Sequence, residues 1–231
     1  MFDSMPDVST NRFRLKYLVF AFIAVGTAYV LLHNERFLFE LAHPIWGHYR
    51  DLGVFLLIHG VAGACALILA PMQFSDRLRA RYTKLHRVTG RIYVTAALVL
   101  APFGVYTQWL DQRLGLFPVS FTVETVIQAS ILMITTALGL LFARKRMIIK
   151  HRQWMMRSYA GALTFVWIRI VLGLTGWDQN LEQNAWLIEL VVWCFTATSV
   201  LIGDLANEIY EMRPVRLRAS AQSAGQAMPA E

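Results

Sequence analysis

The stretch LGVFLLIHGVAGACALILAPM, residues 52–72, decides the fold class of this chain. It contains no Asp, Glu, Lys or Arg, and His59 is the one residue in it that could carry a positive charge. A helix needs about 20 mostly apolar residues to cross a hydrocarbon core about 30 Å thick. The stretch therefore predicts a transmembrane helix.

Five further stretches are also long and apolar, and the composition of the whole chain is that of a membrane protein. The chain has 231 residues, of which 56% are hydrophobic and 16% charged, whereas soluble domains carry about 25% charged residues. We predict an all-α, polytopic membrane bundle of six transmembrane helices. Its spans, in chain order, are residues 17–32, 52–72, 88–109, 121–143, 155–175 and 185–205.

Lys and Arg are concentrated on one side of the predicted bundle. They precede the first span, follow the last, and fill the loops between the second and third and between the fourth and fifth spans. Because cytoplasmic loops carry this positive excess, we expect both termini in the cytoplasm. The net charge of +7 is then a topology signal within a lipid bilayer, and no nucleic-acid partner is expected.

The same pattern divides the chain into three parts. Residues 1–14 form a cytoplasmic tail, residues 15–208 the six-helix domain, and residues 209–231 a second cytoplasmic tail. The second tail is rich in Ala, Ser and Gln, a composition that predicts disorder.

Two similar blocks begin the third and fifth spans, namely HRVTGRIY (86–93) and HRQWMMRSY (151–159). Each opens with His-Arg and continues with an Arg and a Tyr within about two turns. Both spans run in the same direction, so His86 and His151 enter the membrane at the same depth. Two imidazoles on separate membrane helices are an arrangement that holds b-type haem.

In this interpretation His86 and His151 are the axial ligands of haem b, and neighbouring polar residues receive its propionates. Those residues are Arg87, Arg91, Tyr93, Arg152, Arg157 and Tyr159. The alternative is that the two His-Arg blocks bind lipid head-group phosphates and set the topology, as basic clusters commonly do.

A second set of ionisable residues lies in the outer half of the bundle. This outer cluster consists of His59, Glu124, Arg169 and Glu189. Ionisable groups within membrane spans are costly and usually functional. The cluster could bind a small anion, relay protons, or serve a second cofactor or a quinone through His59 and Arg169. It could equally contain an Arg–Glu pair that only fixes helix packing.

The remaining histidines, His33, His43 and His48, lie in the first outer loop or at its edge. Their spacing is not that of a metal site, and we expect them to be solvated.

Several of these residues together resemble a bacterial family of predicted membrane proteins, domain of unknown function 2306 (DUF2306). The resemblance lies in Ile58-His59-Gly60 with Gly63, in Gln73-Phe74, in the two His-Arg blocks and in Arg169. It implies a multi-spanning inner-membrane protein. A more distant resemblance, to b561-type and other cytochrome b bundles, implies histidine pairs that hold haem.

Electron transfer through a b-type haem, with quinone or another redox partner, is the leading functional hypothesis. A small-solute or proton transporter that uses the outer cluster is one alternative, and a non-catalytic membrane subunit or lipid-binding scaffold is another. The sequence has neither an H-E-x-x-H nor a G-x-S-x-G motif and indicates no enzyme class.

Overall fold

A computed structural model describes residues 8–40, 42, 46 and 53–211. These residues form seven α-helices, two short 3-10 turns (Arg36–Leu38 and Trp177–Gln179) and no strand, which confirms the prediction of an all-helical chain. The helices are α1 (Val8–His33), α2 (Gly53–Gln73), α3 (Asp76–Arg81), α4 (Thr83–Arg113), α5 (Val119–Arg144), α6 (Ile148–Thr175) and α7 (Leu181–Glu211).

Five of these helices, α2 and α4 to α7, are long and apolar enough to cross a membrane. The apolar part of α1, Tyr17–His33, is shorter. The described residues thus contain five candidate membrane spans, while a sixth span through α1 and the orientation stay predictions. Helix α1 already begins within the predicted first tail, and α7 extends three residues past 208. Most of the two tails, together with His43 and His48, lies outside the described residues.

Helix α6 is at the centre of the bundle. It packs against α5 and α7 and also contacts α1 and α2, while α4 packs against α2 and α5. Its apolar window is 44% buried, against 22–28% in the other four long helices. Small residues let neighbouring membrane helices approach closely, and α6 buries Ser158, Gly161 and Ala162 at its contacts. Side chains on α6 are therefore well placed to link several helices.

Large apolar side chains cover the outside of the bundle. Leu18, Val54, Ile134, Leu174 and Leu201 are all more than half exposed. A soluble protein rarely exposes so much contiguous apolar surface, whereas a lipid-facing surface requires it. The polar residues that matter for function must therefore be sought between the helices.

Candidate functional site

The structure brings His86 and His151 together; these two residues are called the inner histidine pair below. His86 lies in the first turn of α4 and His151 in the first turn of α6, and both are half-buried. Their side chains are close enough for the charge on one imidazole to act on the other. The guanidinium groups of Arg79 and Arg87 act on His86 in the same way. The pair thus lies in a positively charged environment.

A backbone carbonyl fixes the orientation of the His151 ring. The Nδ1 atom of His151 is 2.8 Å from the carbonyl oxygen of Gly139 on α5. Because a carbonyl can only accept a hydrogen bond, Nδ1 carries the proton and Nε2 keeps its lone pair. Metal-bound histidines are commonly oriented in this way. The Nδ1 atom of His86 is buried without a hydrogen-bond partner.

A chain of three hydroxyl groups links α4, α5 and α6 about two helical turns further along the chain than the inner histidine pair. The Tyr93 hydroxyl on α4 is 2.7 Å from Ser158 Oγ on α6, which is 2.7 Å from Thr136 Oγ1 on α5. All three side chains are at most 1% exposed. Tyr93 follows His86 by seven residues and Ser158 follows His151 by seven, about two helical turns. The Tyr93–Ser158 hydrogen bond therefore sets α4 and α6 in the register that brings the two histidines level.

The other residues predicted at the inner site have different surroundings. Arg91 is exposed, and Arg152 stacks on the ring of Tyr210 in α7. The Nε atom of Arg157 is 2.5 Å from Asp204 Oδ1, also in α7. Tyr159 packs its ring on Phe74, and its hydroxyl group is buried without a hydrogen-bond partner. Among the predicted arginines, Arg87 is the one whose charge acts on His86.

Arg79 was not among the residues predicted for the inner site, yet its charge acts on both members of the inner histidine pair. Arg79 lies on the short helix α3, where its Nη2 atom is 2.8 Å from Asp76 Oδ1. Ser75 caps this helix by accepting a hydrogen bond from the Leu78 backbone amide. A Ser-Asp pair at this spacing before a basic run is typical of a helix N-terminus. That signal could have placed Arg79 on a short helix facing α4.

At the other end of the bundle, His59 is held in the same manner as His151. Its Nδ1 atom is 2.9 Å from the carbonyl oxygen of Leu100 on α4, so Nδ1 carries the proton. The ring packs against Gly104, where an added Cβ atom would lie 2.8 Å from His59 Cε1. The charge of Arg169, which lies over the Phe165 ring, acts on His59. The structure thus supports proximity between His59 and Arg169.

A buried carboxyl group also lies within reach of the charge of Arg169. Glu35, in the segment that follows α1, is only 8% exposed, and its Oε2 atom lies beside Gly60. Burial raises the pKa of Glu35, and the nearby charge of Arg169 partly opposes the rise. Glu35 was missed because it lies between predicted spans, where acidic residues are usually solvated. We call Glu35, His59 and Arg169 the Arg169 cluster.

Glu124 and Glu189, the two other members of the predicted outer cluster, have no described contact with His59 or Arg169. Glu124 on α5 is 3% exposed and accepts a hydrogen bond from the Thr196 hydroxyl on α7. Glu189 on α7 is half-buried. The described contacts therefore place Glu124 in a link between α5 and α7, and a shared role for all four outer residues stays a prediction.

Two cavities lie near the inner histidine pair without being lined by it. One, of about 10 Å³, lies between Gln73, Tyr93 and Tyr159 and has room for a single water molecule. The other, of about 100 Å³, lies between α1, α6 and α7. Within the described residues, no group of three or more His, Cys, Asp or Glu side chains could hold a metal ion.

Long apolar helices, buried hydroxyl links between them and a largely apolar outer surface together define a polytopic helical membrane protein. The chain belongs to the DUF2306 family of predicted membrane proteins, whose model matches residues 56–206. The matched region is more than half of the chain and includes both members of the inner histidine pair. No curated protein and no solved structure matches the chain. The more distant resemblance to b561-type bundles stays a prediction.

The hydroxyl chain gives a stability prediction. Ser158→Ala should leave the buried hydroxyl groups of Tyr93 and Thr136 without the Ser158 hydroxyl to which both bond. The free energy of unfolding should fall by about 1–2 kcal/mol. Denaturation in mixed detergent micelles measures this change. The matched control is Ser130→Ala, because the exposed Ser130 bonds only to Val126 in its own helix. Equal effects of the two substitutions would contradict a linking role for Ser158.

The raised pKa of Glu35 gives a pH prediction. The folded chain binds the Glu35 proton more tightly than the unfolded chain, so the resulting stabilisation is present below about pH 4.3 and is lost as pH rises through the folded pKa. Glu35→Gln cannot lose a proton, and it should gain stability relative to the wild type between pH 4 and pH 8. Thermal denaturation in detergent at stepped pH tests this.

The control for this experiment is Glu40→Gln. Glu40 is 42% exposed and pairs with Arg36 at 2.9 Å, so its removal should produce no comparable pH trend. A stability difference between wild type and Glu35→Gln that stays constant over the pH range would refute the assignment of a raised pKa to Glu35.

Proposed function

We propose that this protein is an integral-membrane b-type haem protein that transfers electrons, with His86 and His151 as the axial ligands. The observation that carries the proposal is the pairing of these two histidines across α4 and α6. Neither helix supplies both ligands, and the hydroxyl link between Tyr93 and Ser158 keeps the two helices in register. Such a fixed pair suits a redox group, because a rigid ligand frame limits reorganisation when the electron arrives.

The residues at the inner histidine pair fit the chemistry that haem binding requires. His151 presents Nε2 because its Nδ1 atom is bonded to the Gly139 carbonyl group, and the buried Nδ1 of His86 has no competing partner. Arg79 and Arg87 supply the positive charge that two propionates require. When bound, haem would supply one-electron oxidation and reduction. Neither described cavity is lined by the two histidines.

The proposal includes a membrane arrangement. Six spans, with α1 as the first, would place both termini in the cytoplasm of a bacterium and the protein in its inner membrane. The support is the concentration of Lys and Arg around α3 and between α5 and α6. The inner histidine pair then lies near the cytoplasmic surface. An electron partner would be a membrane quinone or a redox protein that docks on that surface.

A reduced-minus-oxidised absorption spectrum tests the haem assignment. The protein is purified from membranes of haem-replete cells, and dithionite reduction should produce the Soret and alpha bands of a low-spin b-type haem. His86→Ala and His151→Ala should each abolish the alpha band, because each removes one axial nitrogen. His33→Ala is the matched control, since His33 stacks on Tyr29 at the end of α1.

Size-exclusion chromatography separates loss of haem from loss of fold in these variants. A wild-type protein that is folded but colourless would overturn the haem proposal. So would an alpha band that survives in both His86→Ala and His151→Ala. In either case the remaining interpretation of the His-Arg blocks is contact with lipid head groups or a partner subunit.

Proton or small-solute transport is a second candidate, favoured by the Arg169 cluster. The charge of the Arg169 guanidinium group acts there on the buried carboxyl group of Glu35 and on the imidazole of His59, and the three residues come from separate segments. Interior groups of this kind are typical of proton relays. In reconstituted vesicles, proton flux that is lost in Glu35→Gln and kept in Glu40→Gln would favour this candidate, and absence of flux in the wild type would exclude proton transport.

A further inference from the structure

An apolar groove opens at the basic end of the bundle, between α1, α6 and α7. It has a volume of about 100 Å³. Phe20 on α1 and Phe74 after α2 form one side, Met156 on α6 forms the floor, and Ala206 and Ile209 on α7 form the other side. Residues from four segments of the chain therefore shape a single furrow on the membrane-embedded surface.

One end of the groove is cationic. Among the lining side chains Arg152 carries the charge, and its guanidinium carbon lies 3.1 Å from the centroid of the Tyr210 ring. Three acidic residues of α7 lie near this end: Glu208 is exposed, and the other two bond to other residues of α6. Asp204 pairs with Arg157, and Glu211 accepts a hydrogen bond from Gln153. The basic segments around α3 and between α5 and α6 lie at the same end of the bundle.

The surroundings restrict what can fill this groove. Apolar walls within a bilayer are not stably hydrated, and a void there loses dispersion contacts, so a hydrocarbon chain is the natural occupant. A cationic end then favours a ligand whose head group is negative, because an arginine binds phosphate through charge-assisted hydrogen bonds. Basic pockets between membrane helices bind anionic lipids in this manner.

We propose that the groove is a specific binding site for one anionic phospholipid. One acyl chain lies between Phe20, Met156 and Ile209, and the phosphate group lies at Arg152. The site is separate from the inner histidine pair, and the proposal does not depend on haem.

Native mass spectrometry of the full chain tests the site. Delipidated protein in detergent is mixed with equal amounts of phosphatidylglycerol and phosphatidylcholine that have identical acyl chains, and the retained lipid is counted. The wild type should retain one phosphatidylglycerol in preference to phosphatidylcholine. Arg152→Gln should reduce that preference about fivefold, the contribution of one interfacial cation. Ala206→Phe should fill the groove and reduce retention of both lipids.

Lys150→Gln is the matched control, because Lys150 lies on the same turn of α6 but over the Phe142 ring, outside the groove. It should retain the wild-type preference. Equal losses in Arg152→Gln and Lys150→Gln would indicate general charge attraction and overturn the proposal. Equal retention of the two lipids by the wild type, or undiminished retention in a helical Ala206→Phe protein, would also overturn it.

Discussion

The hydrogen-bonded chain Tyr93–Ser158–Thr136 is the interaction on which the rest of the bundle depends. Its three hydroxyl groups come from α4, α6 and α5 and are almost completely buried. In hydrocarbon a hydroxyl group has no water to bond, so a buried hydroxyl needs a partner within the protein, and these three side chains provide one another with that partner. A shift of α4 along α6 would separate Tyr93 from Ser158 and leave the buried Tyr93 hydroxyl without this partner, while Ser158 would keep its bond to Thr136. The link therefore selects one register, and that register brings His86 level with His151.

The same requirement orients the functional side chains. His151 donates to the Gly139 carbonyl group and His59 to that of Leu100, while Gln128 donates to that of Gly161. Each donor thus bonds to the backbone of another helix, and each imidazole keeps Nε2 for other chemistry. The two ends of the bundle differ in charge. The charges of Arg79 and Arg87 act on the inner histidine pair, whereas a buried carboxyl group, that of Glu35, lies near Arg169 at the other end.

Apolar run length was enough to predict an all-helical membrane protein, because spanning a bilayer restricts the backbone to so few solutions. Parallel spans with repeated His-Arg blocks predict that His86 and His151 meet at one site; the charge of His151 does act on His86, and their binding of a cofactor stays a prediction. By residue type, Tyr93 in the first His-Arg block corresponds to Tyr159 in the second. The structure instead joins Tyr93 to Ser158, which is its counterpart in spacing from the histidine. Glu35 could not be predicted, because its burial depends on how the segment after α1 returns beside Gly60.

The central claim is that helix register holds His86 and His151 in one site, and paired cysteines test it most directly. With Cys65→Ala and Cys194→Ala as background, a short bifunctional thiol reagent is applied to the double variant His86→Cys with His151→Cys. Rapid intramolecular cross-linking is expected. The reference pair is His86→Cys with Lys150→Cys, since adjacent residues point about 100° apart around a helix. Cross-linking of the histidine positions no faster than that of the reference pair would contradict the account.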